Sequence, residues 1–336
     1  MSDPLADYYR ILAFDGGGIR GLFSAKLLGR LEEGRPGFLS KIDLFAGTST
    51  GGLIALLLAS GRTPTQIIDR YLSIGPKIFS TWGWIPSGLP VWFAMSFGLL
   101  LAKYGNRNLR DYLVEEFGEK TTLGDLDKEV LITSFDLDYG EDARGKLRPG
   151  YHGNRTWKPK FFHNFPIDGS DQDELVVDVA MRTIAAPVYF PAYQGFIDGG
   201  ITANNPSLAA LMQAVYASAT PSPAMEDIAL LSIGTGNFDQ YIPGKRLDWG
   251  IAQWSTKLLE ISLDSISSMT DWQCRKLLNE GYHRLNPDLG KKINLDATRK
   301  RDLTYLQEQA DTAKLVDRVE SELSTLKWIN DYFFYN

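Results

Sequence analysis

The sequence predicts an α/β fold, with a mainly parallel central sheet covered by helices on both faces and a helical C-terminal extension. Short apolar runs alternate with amphipathic stretches from about residue 9 to residue 236, the pattern of buried strands joined by crossover helices. Two glycine-rich turns stand where an apolar run gives way to a helical stretch. Beyond Gly236 the spacing becomes mostly helical. The expected division is residues 8–240 as the sheet-bearing region and residues 241–336 as a mostly helical region packed on the same body.

In chain order, strands are expected at Arg10 to Phe14, Ile42 to Ala46, Val130 to Asp136, Lys160 to Phe165 and Ala229 to Ile233, with a short one from Tyr193 to Ile197. Helices are expected at Leu22 to Glu33, Gly51 to Ala59, Thr65 to Ile74, Leu109 to Phe117, Val177 to Ile184 and Pro206 to Ala217. Asn204-Asn205-Pro206 gives the last of these an N-cap followed by proline at the first helical position. From Asp302 to Lys327, apolar residues at Leu303, Leu306, Ala310, Ala313, Val316, Val319, Leu323 and Leu326 form a stripe. It suits packing on the main body, or alternatively homo-oligomer formation.

Composition narrows the function classes. With 35 basic against 41 acidic residues and a net charge of -6, the chain lacks the positive field of a nucleic-acid binder. One cysteine, Cys274, excludes an intramolecular disulfide, and His152, His163 and His283 are little material for a zinc site. The N-terminus carries no basic and apolar leader pattern. A reducing, cytoplasmic setting is the expectation.

Trp82 to Ala102 departs from the rhythm: it holds no charged residue, three tryptophans and two phenylalanines. Pro86 and Pro90 break its first half, leaving Val91 to Ala102 too short to cross a bilayer, which takes about 20 apolar residues. It reads either as a buried helix after a loop, or as an apolar cap making peripheral membrane contact.

The first turn, Asp15-Gly16-Gly17-Gly18-Ile19-Arg20-Gly21, follows a strand and precedes a helix, so its bare N–H groups favour an anion. Gly16, Gly18 and Gly21 also fit a dinucleotide fingerprint with Asp43 as the ribose acid, the mark of an oxidoreductase. Asp43, however, falls at the beginning of the next strand, whereas a ribose ligand belongs at a strand's C-terminal end. The second turn, Gly47-Thr48-Ser49-Thr50-Gly51, is a G-x-S-x-G between strand and helix, the context of a nucleophile elbow. Parallel neighbouring strands place both turns at one sheet edge, where the first can serve as an oxyanion hole for a serine on the second.

A serine hydroxyl needs a general base. Ser49, Asp198 and His283 keep the chain order of an α/β-hydrolase triad, but one strand precedes this elbow where those enzymes have several. His163, among aromatics in a strand, reads as a core or rim histidine. Asp198, in Gly195-Phe196-Ile197-Asp198-Gly199-Gly200, has glycines that allow close approach to another segment, which suits a direct serine–aspartate dyad; an ordinary turn is the alternative.

Taken together, Asp15 to Gly21, Gly47 to Gly51 and Asp198 to Gly200 resemble the patatin-like phospholipases, lipid acyl hydrolases with a Ser-Asp dyad and a three-layer α/β/α fold. Val179 to Pro191 and Asp198 to Pro206 look similar too, so the resemblance covers roughly residues 10 to 236. It implies Ser49 as nucleophile, Asp198 as base, the N–H groups of Gly16, Gly17 and Gly18 as oxyanion hole, and Arg20 as its electrostatic support or else as one half of a plain ion pair. It implies a glycerophospholipid or galactolipid substrate and neither cofactor nor metal. Ile184 stands where many relatives carry a small polar residue. Some bacterial relatives are switched on by cyclic nucleotides, and no motif here marks a nucleotide pocket. A catalytically silent lipid-binding protein is the remaining rival.

Overall fold

In the computed structural model, residues 8–80, 102–140, 147, 153–167, 169–217, 222–244, 248–317 and 324–334 are described. The segment from Trp82 to Leu101 lies outside them, as does His152. Among the described residues, seven strands form one sheet: β1 (Tyr9–Phe14), β2 (Leu44–Thr48), β3 (Glu129–Asp136), β4 (Lys158–His163), β5 (Phe196–Asp198), β6 (Ile228–Ile233) and β7 (Tyr282–Leu285). Their order is β4-β3-β2-β1-β6-β7, with β5 pairing β3 off that path.

β3, β2, β1, β6 and β7 run parallel, whereas β4 and β5 are antiparallel to β3. The sheet is therefore mainly parallel, as the apolar runs imply. β1 shows why: Leu12 and Phe14 join one core and Ile11 and Ala13 the other, so the strand is apolar on both faces.

The first face carries α1 (Gly21–Gly34), α2 (Thr50–Ala59), α3 (Pro64–Ile78), α4 (Arg107–Phe117) and α5 (Val176–Ile184), all contributing to one core. Thr63 and Gln66 close a capping box at the start of α3, with Pro64 at its first position. α6 (Gly200–Ala203) follows β5 directly. α7 (Ser207–Ala217) and α8 (Ile251–Leu278) cover the opposite face, where Ala210, Leu211, Ala214, Cys274 and Leu278 are buried. The Asn205 side chain accepts the Ser207 N–H at 3.0 Å, so the asparagine before Pro206 does cap α7.

The C-terminal region is mainly helical, as expected, and it also supplies β7, which extends the sheet beyond β6. One expectation there needs correction, because the Asp302 to Lys327 stripe is not continuous: α9 (Lys300–Thr312) ends at Ala313, which is extended at ψ 139°, and α10 (Thr325–Ile329) starts afresh with a Ser324 cap. Leu303, Leu306 and Ala310 of α9 are buried in the core shared with α1, so this part of the stripe packs within the chain. Among the described residues, no helix is long and apolar enough to cross a membrane.

Candidate active site

Strand register brings the two turns together. Phe14 at the end of β1 pairs with Gly47 in β2 and Ile233 in β6, so the turns that follow these strands leave the sheet at one edge. β2 pairs with β3 as far as Thr48 opposite Thr133, and β5 takes over from the next rung, with Asp198 opposite Ser134. The other edge of β3 at Ser134 is occupied by Lys160 of β4, so β5 fills the edge that β2 vacates. Ser49 and Asp198 thus approach head to head from opposite directions.

Ser49 sits at φ 54° and ψ -122°, a conformation costly for any residue with a Cβ. Its N–H donates to Thr183 Oγ1 at 2.8 Å. The following helix, α2, is buried along its whole length and starts at Thr50, so its N-terminal positive end lies beside the hydroxyl. Gly51 is needed because a Cβ there would strike the Phe14 carbonyl oxygen of the neighbouring strand.

The Asp198 N–H donates to the Ala185 carbonyl at 3.0 Å, and its carboxylate accepts the Gly200 N–H at 2.7 Å. Burial pushes its pKa up to about 6, against the opposing pull of hydrogen bonds from Ser49 and Gly200. The Ser49 hydroxyl thus lies close enough to the Asp198 carboxyl to oppose that rise, in a site where each residue is less than a tenth exposed.

The first glycine turn divides its amides. The Gly16 N–H donates to the Asn204 carbonyl at 3.0 Å, so it is not free to meet an oxyanion as expected. Gly17 and Gly18 have no acceptor for theirs among the described residues. Gly18 adopts φ +57°, and a Cβ there would meet the Leu295 backbone carbonyl, so this position requires glycine. Arg20 reaches back from the same turn, with Nε 3.4 Å from the Gly17 carbonyl and the guanidinium 5.7 Å from the Phe238 ring centre. It makes no salt bridge among the described residues, so the plain ion pair is absent there.

Gly17, Gly18, Arg20, Ser49 and Asp198 all line one cavity. Leu53, Leu57, Tyr71, Ile74, Ile78 and Leu109 contribute apolar lining, and Ile184 joins them. Gln240, Glu260, Asp264 and Lys292 are polar members of the lining, interleaved in sequence with Phe238, Leu259, Leu263, Ile293 and Leu295.

The two described histidines lie elsewhere. His283 is buried in β7, 2.9 Å from Thr325 Oγ1 and stacked at 5.3 Å on Trp328, and burial pushes its pKa down to about 4. His163 packs edge-on against Phe165. Neither lines the cavity. Asp43 accepts the Arg10 N–H at 2.7 Å just before β2, at the far end of the sheet from the glycine turn. A ribose-binding role for it has no geometric basis. Among the described residues there is no group of three or more His, Cys, Asp or Glu that could hold a metal ion.

Three supporting residues escape sequence reading. Thr183 and Ala185, two positions apart, hold the backbones of Ser49 and Asp198 respectively. Arg284 of β7 grips Asp15 with both terminal nitrogens, Nη1 to Oδ1 at 2.7 Å, and Nη1 also donates to Ser232 Oγ at 2.7 Å. The first pair lies in a stretch already singled out for its likeness to a family. Arg284 has no local signal, because its partner is 269 residues away.

Comparisons with known proteins place the chain in one family. Residues 12–211 match the family model described as patatin-like phospholipase. A cGAMP-activated phospholipase of Pseudomonas aeruginosa is 32% identical over 296 residues, covering 85% of this chain and 81% of the relative. A putative sporulation hydrolase, CotR, of Bacillus subtilis is 35% identical over 245 residues, covering 72% and 68%. Patatin-like protein 4 of Arabidopsis thaliana is 30% identical over 340 residues, covering 84% and 77%.

Proposed function

The chain belongs to the patatin-like phospholipase family and is a lipid hydrolase, and from that premise we propose that it cleaves fatty acyl esters of membrane glycerolipids through a Ser49–Asp198 dyad and an acyl-enzyme. The observation that carries this reading is the meeting of a strained serine and a buried carboxylate in the lining of one cavity rich in apolar residues.

In the first half-reaction Asp198 accepts the Ser49 proton as Oγ attacks the ester carbonyl. The oxyanion of the tetrahedral intermediate takes hydrogen bonds from the Gly17 and Gly18 N–H groups, each such donor typically worth about 3 kcal/mol in the transition state. Collapse expels the alcohol, which takes the proton from Asp198. In the second half, Asp198 deprotonates water, which attacks the acyl-serine and releases the fatty acid. A carboxylate suffices as base here because burial raises its proton affinity toward the working pH. The acyl chain lies along Leu53, Leu57, Ile74 and Ile78.

The reading is tested by following fatty acid release from a phospholipid and from p-nitrophenyl butyrate. Wild type should turn over both, and Ser49→Ala neither. A Ser49→Ala preparation that keeps wild-type turnover of both would end the proposal, and lipid binding without any turnover by wild type would favour a silent lipid-binding protein.

A further inference from the structure

The long helix α8 presents two faces of opposite kind. Its inward face is fixed within the chain: Thr270, Cys274 and Leu278 are buried, Leu259 and Leu263 line the cavity, and Ser267 Oγ accepts the Asn204 amide at 2.9 Å. On its outward face Leu258, Ile261, Met269 and Trp272 are exposed among the described residues, Trp272 by 61% and Met269 by 59%. Ser262, Ser265 and Ser268 stand exposed between them. A contiguous apolar face of this kind marks an interaction surface.

The residues of this face are ordered symmetrically about Ser265. Serines stand three residues away on both sides, Ile261 and Met269 four away, and Leu258 and Trp272 seven away. At about 100° per residue, all seven fall within about 60° of Ser265. Lys257, Glu260, Asp264, Asp271 and Arg275 fall about 80° or more from it, so no charge interrupts the stripe. Small residues at the middle let two such helices approach closely, and the large ones fill the space that opens where crossed helices diverge.

A half-turn about Ser265 sets Leu258 against Trp272 of a second copy, Ile261 against Met269, and Ser265 against itself, which is the self-match that a two-fold interface requires. It also brings Lys276 opposite Trp254, a cation opposite an aromatic residue. A bilayer surface demands no such symmetry and favours basic flanks, whereas the flank here carries Glu260, Asp264 and Asp271.

We propose that the outward face of α8 is the contact of a two-fold homodimer, in which α8 packs antiparallel on α8 of a second copy with Ser265 at the axis. One helix pair buries less than the roughly 800 Å² per partner of a standard interface, so the dimer is reversible, with a Kd on the order of 10 μM. Because the inward face lines the cavity, the pairing braces one wall of the site without adding a residue to it.

Sedimentation equilibrium of the full chain from about 1 to about 200 μM spans the expected transition. Wild type should pass from monomer to dimer over that range. Ser265→Glu, which puts two like charges at the axis from an exposed helical position, should weaken association by about 10-fold or more. Ser265→Cys should be trapped as a disulfide-linked dimer on mild oxidation, since the pairing holds the two Cα atoms about 4–6 Å apart. Ser262→Cys should not, because antiparallel packing keeps its two copies more than about 7 Å apart, and the native Cys274 is buried. Wild type that stays monomeric over the whole range overturns the proposal, as does a dimer that Ser265→Glu leaves intact or that Ser265→Cys does not trap. Equal trapping of Ser262→Cys and Ser265→Cys rejects the two-fold register. Monomeric wild type that binds phosphatidylcholine vesicles, with binding lost in Ser265→Glu, gives the face to a lipid surface and also overturns it.

Discussion

Thr183 accepts the backbone N–H of Ser49 at 2.8 Å, and two residues later the Ala185 carbonyl accepts the N–H of Asp198 at 3.0 Å. One short segment at the end of α5 therefore holds the backbones of Ser49 and Asp198, the proposed nucleophile and base, relative to each other. Thr183→Val keeps the shape but leaves the Ser49 amide without a partner in a fully buried place, which should cost about 1–3 kcal/mol in denaturant unfolding. Because displacement on the order of 1 Å costs on the order of 100-fold in rate, kcat on p-nitrophenyl butyrate should fall by about that factor. Thr183→Ser, which restores an acceptor, should recover most of it. A Thr183→Val enzyme that is less stable but equally fast would show that the contact is structural only.

The Asp15–Arg284 pair ties the first glycine turn to β7, a strand supplied by the C-terminal region. Removing Arg284 as Arg284→Met strands a buried carboxylate, for an expected loss of about 3–5 kcal/mol. The double variant with Asp15→Asn should regain most of that stability. Arg284→Lys should remain impaired, since a single ammonium cannot serve both carboxylate oxygens and Ser232 at once. Equal stability of Arg284→Met and the double variant would contradict the pairing.

Much of the site was legible because small residues at strand ends leave a local signature: Gly16 to Gly18, Gly47 to Gly51 and Gly199 to Gly200 each sit where a chain must bend or approach another closely. What was not legible depends on partners distant in sequence. Tyr282–Leu285 reads as polar, yet it is a buried strand because Arg284 finds Asp15 and His283 finds Thr325. The antiparallel sense of β4 and β5 follows from which edge of β3 is free, which periodicity does not encode. The use of the Gly16 amide by Asn204 is likewise a long-range matter. The break of the C-terminal stripe after Thr312 defeats a period count that sees apolar spacing but not backbone angles.

Asp198 governs the acid side of the pH profile. With its pKa raised to about 6, kcat/KM should decline below that pH as the base is protonated, whereas an ordinary aspartate would stay active toward pH 4. The same shift has a stability consequence. The folded state holds this proton more tightly than the unfolded chain does, so Asp198 lowers stability as pH rises from about 4 through about 6. Asp198→Asn should therefore be more stable than wild type at pH 8, by on the order of 2 kcal/mol, with the advantage gone at pH 4. An advantage that grows on acidification would have the wrong sign.

The strained backbone at Ser49 makes a second stability prediction. Glycine tolerates φ 54° and ψ -122° better than alanine does. Ser49→Gly and Ser49→Ala should both be inactive, but the glycine variant should be the more stable by about 1 kcal/mol or more, reversing the usual order of the two residues. Thermal unfolding of the two proteins side by side decides it, and alanine being equal or better would remove the strain.

The central claim, that Asp198 and not a histidine activates Ser49, is tested most directly by the rate of covalent labelling with a fluorophosphonate ester, located by peptide mass spectrometry. The account predicts one label per chain on Ser49 in wild type, an unchanged rate in folded His283→Ala, and a rate reduced by about 100-fold or more in Asp198→Asn. Labelling of Asp198→Asn at the wild-type rate, with loss in His283→Ala, would contradict it.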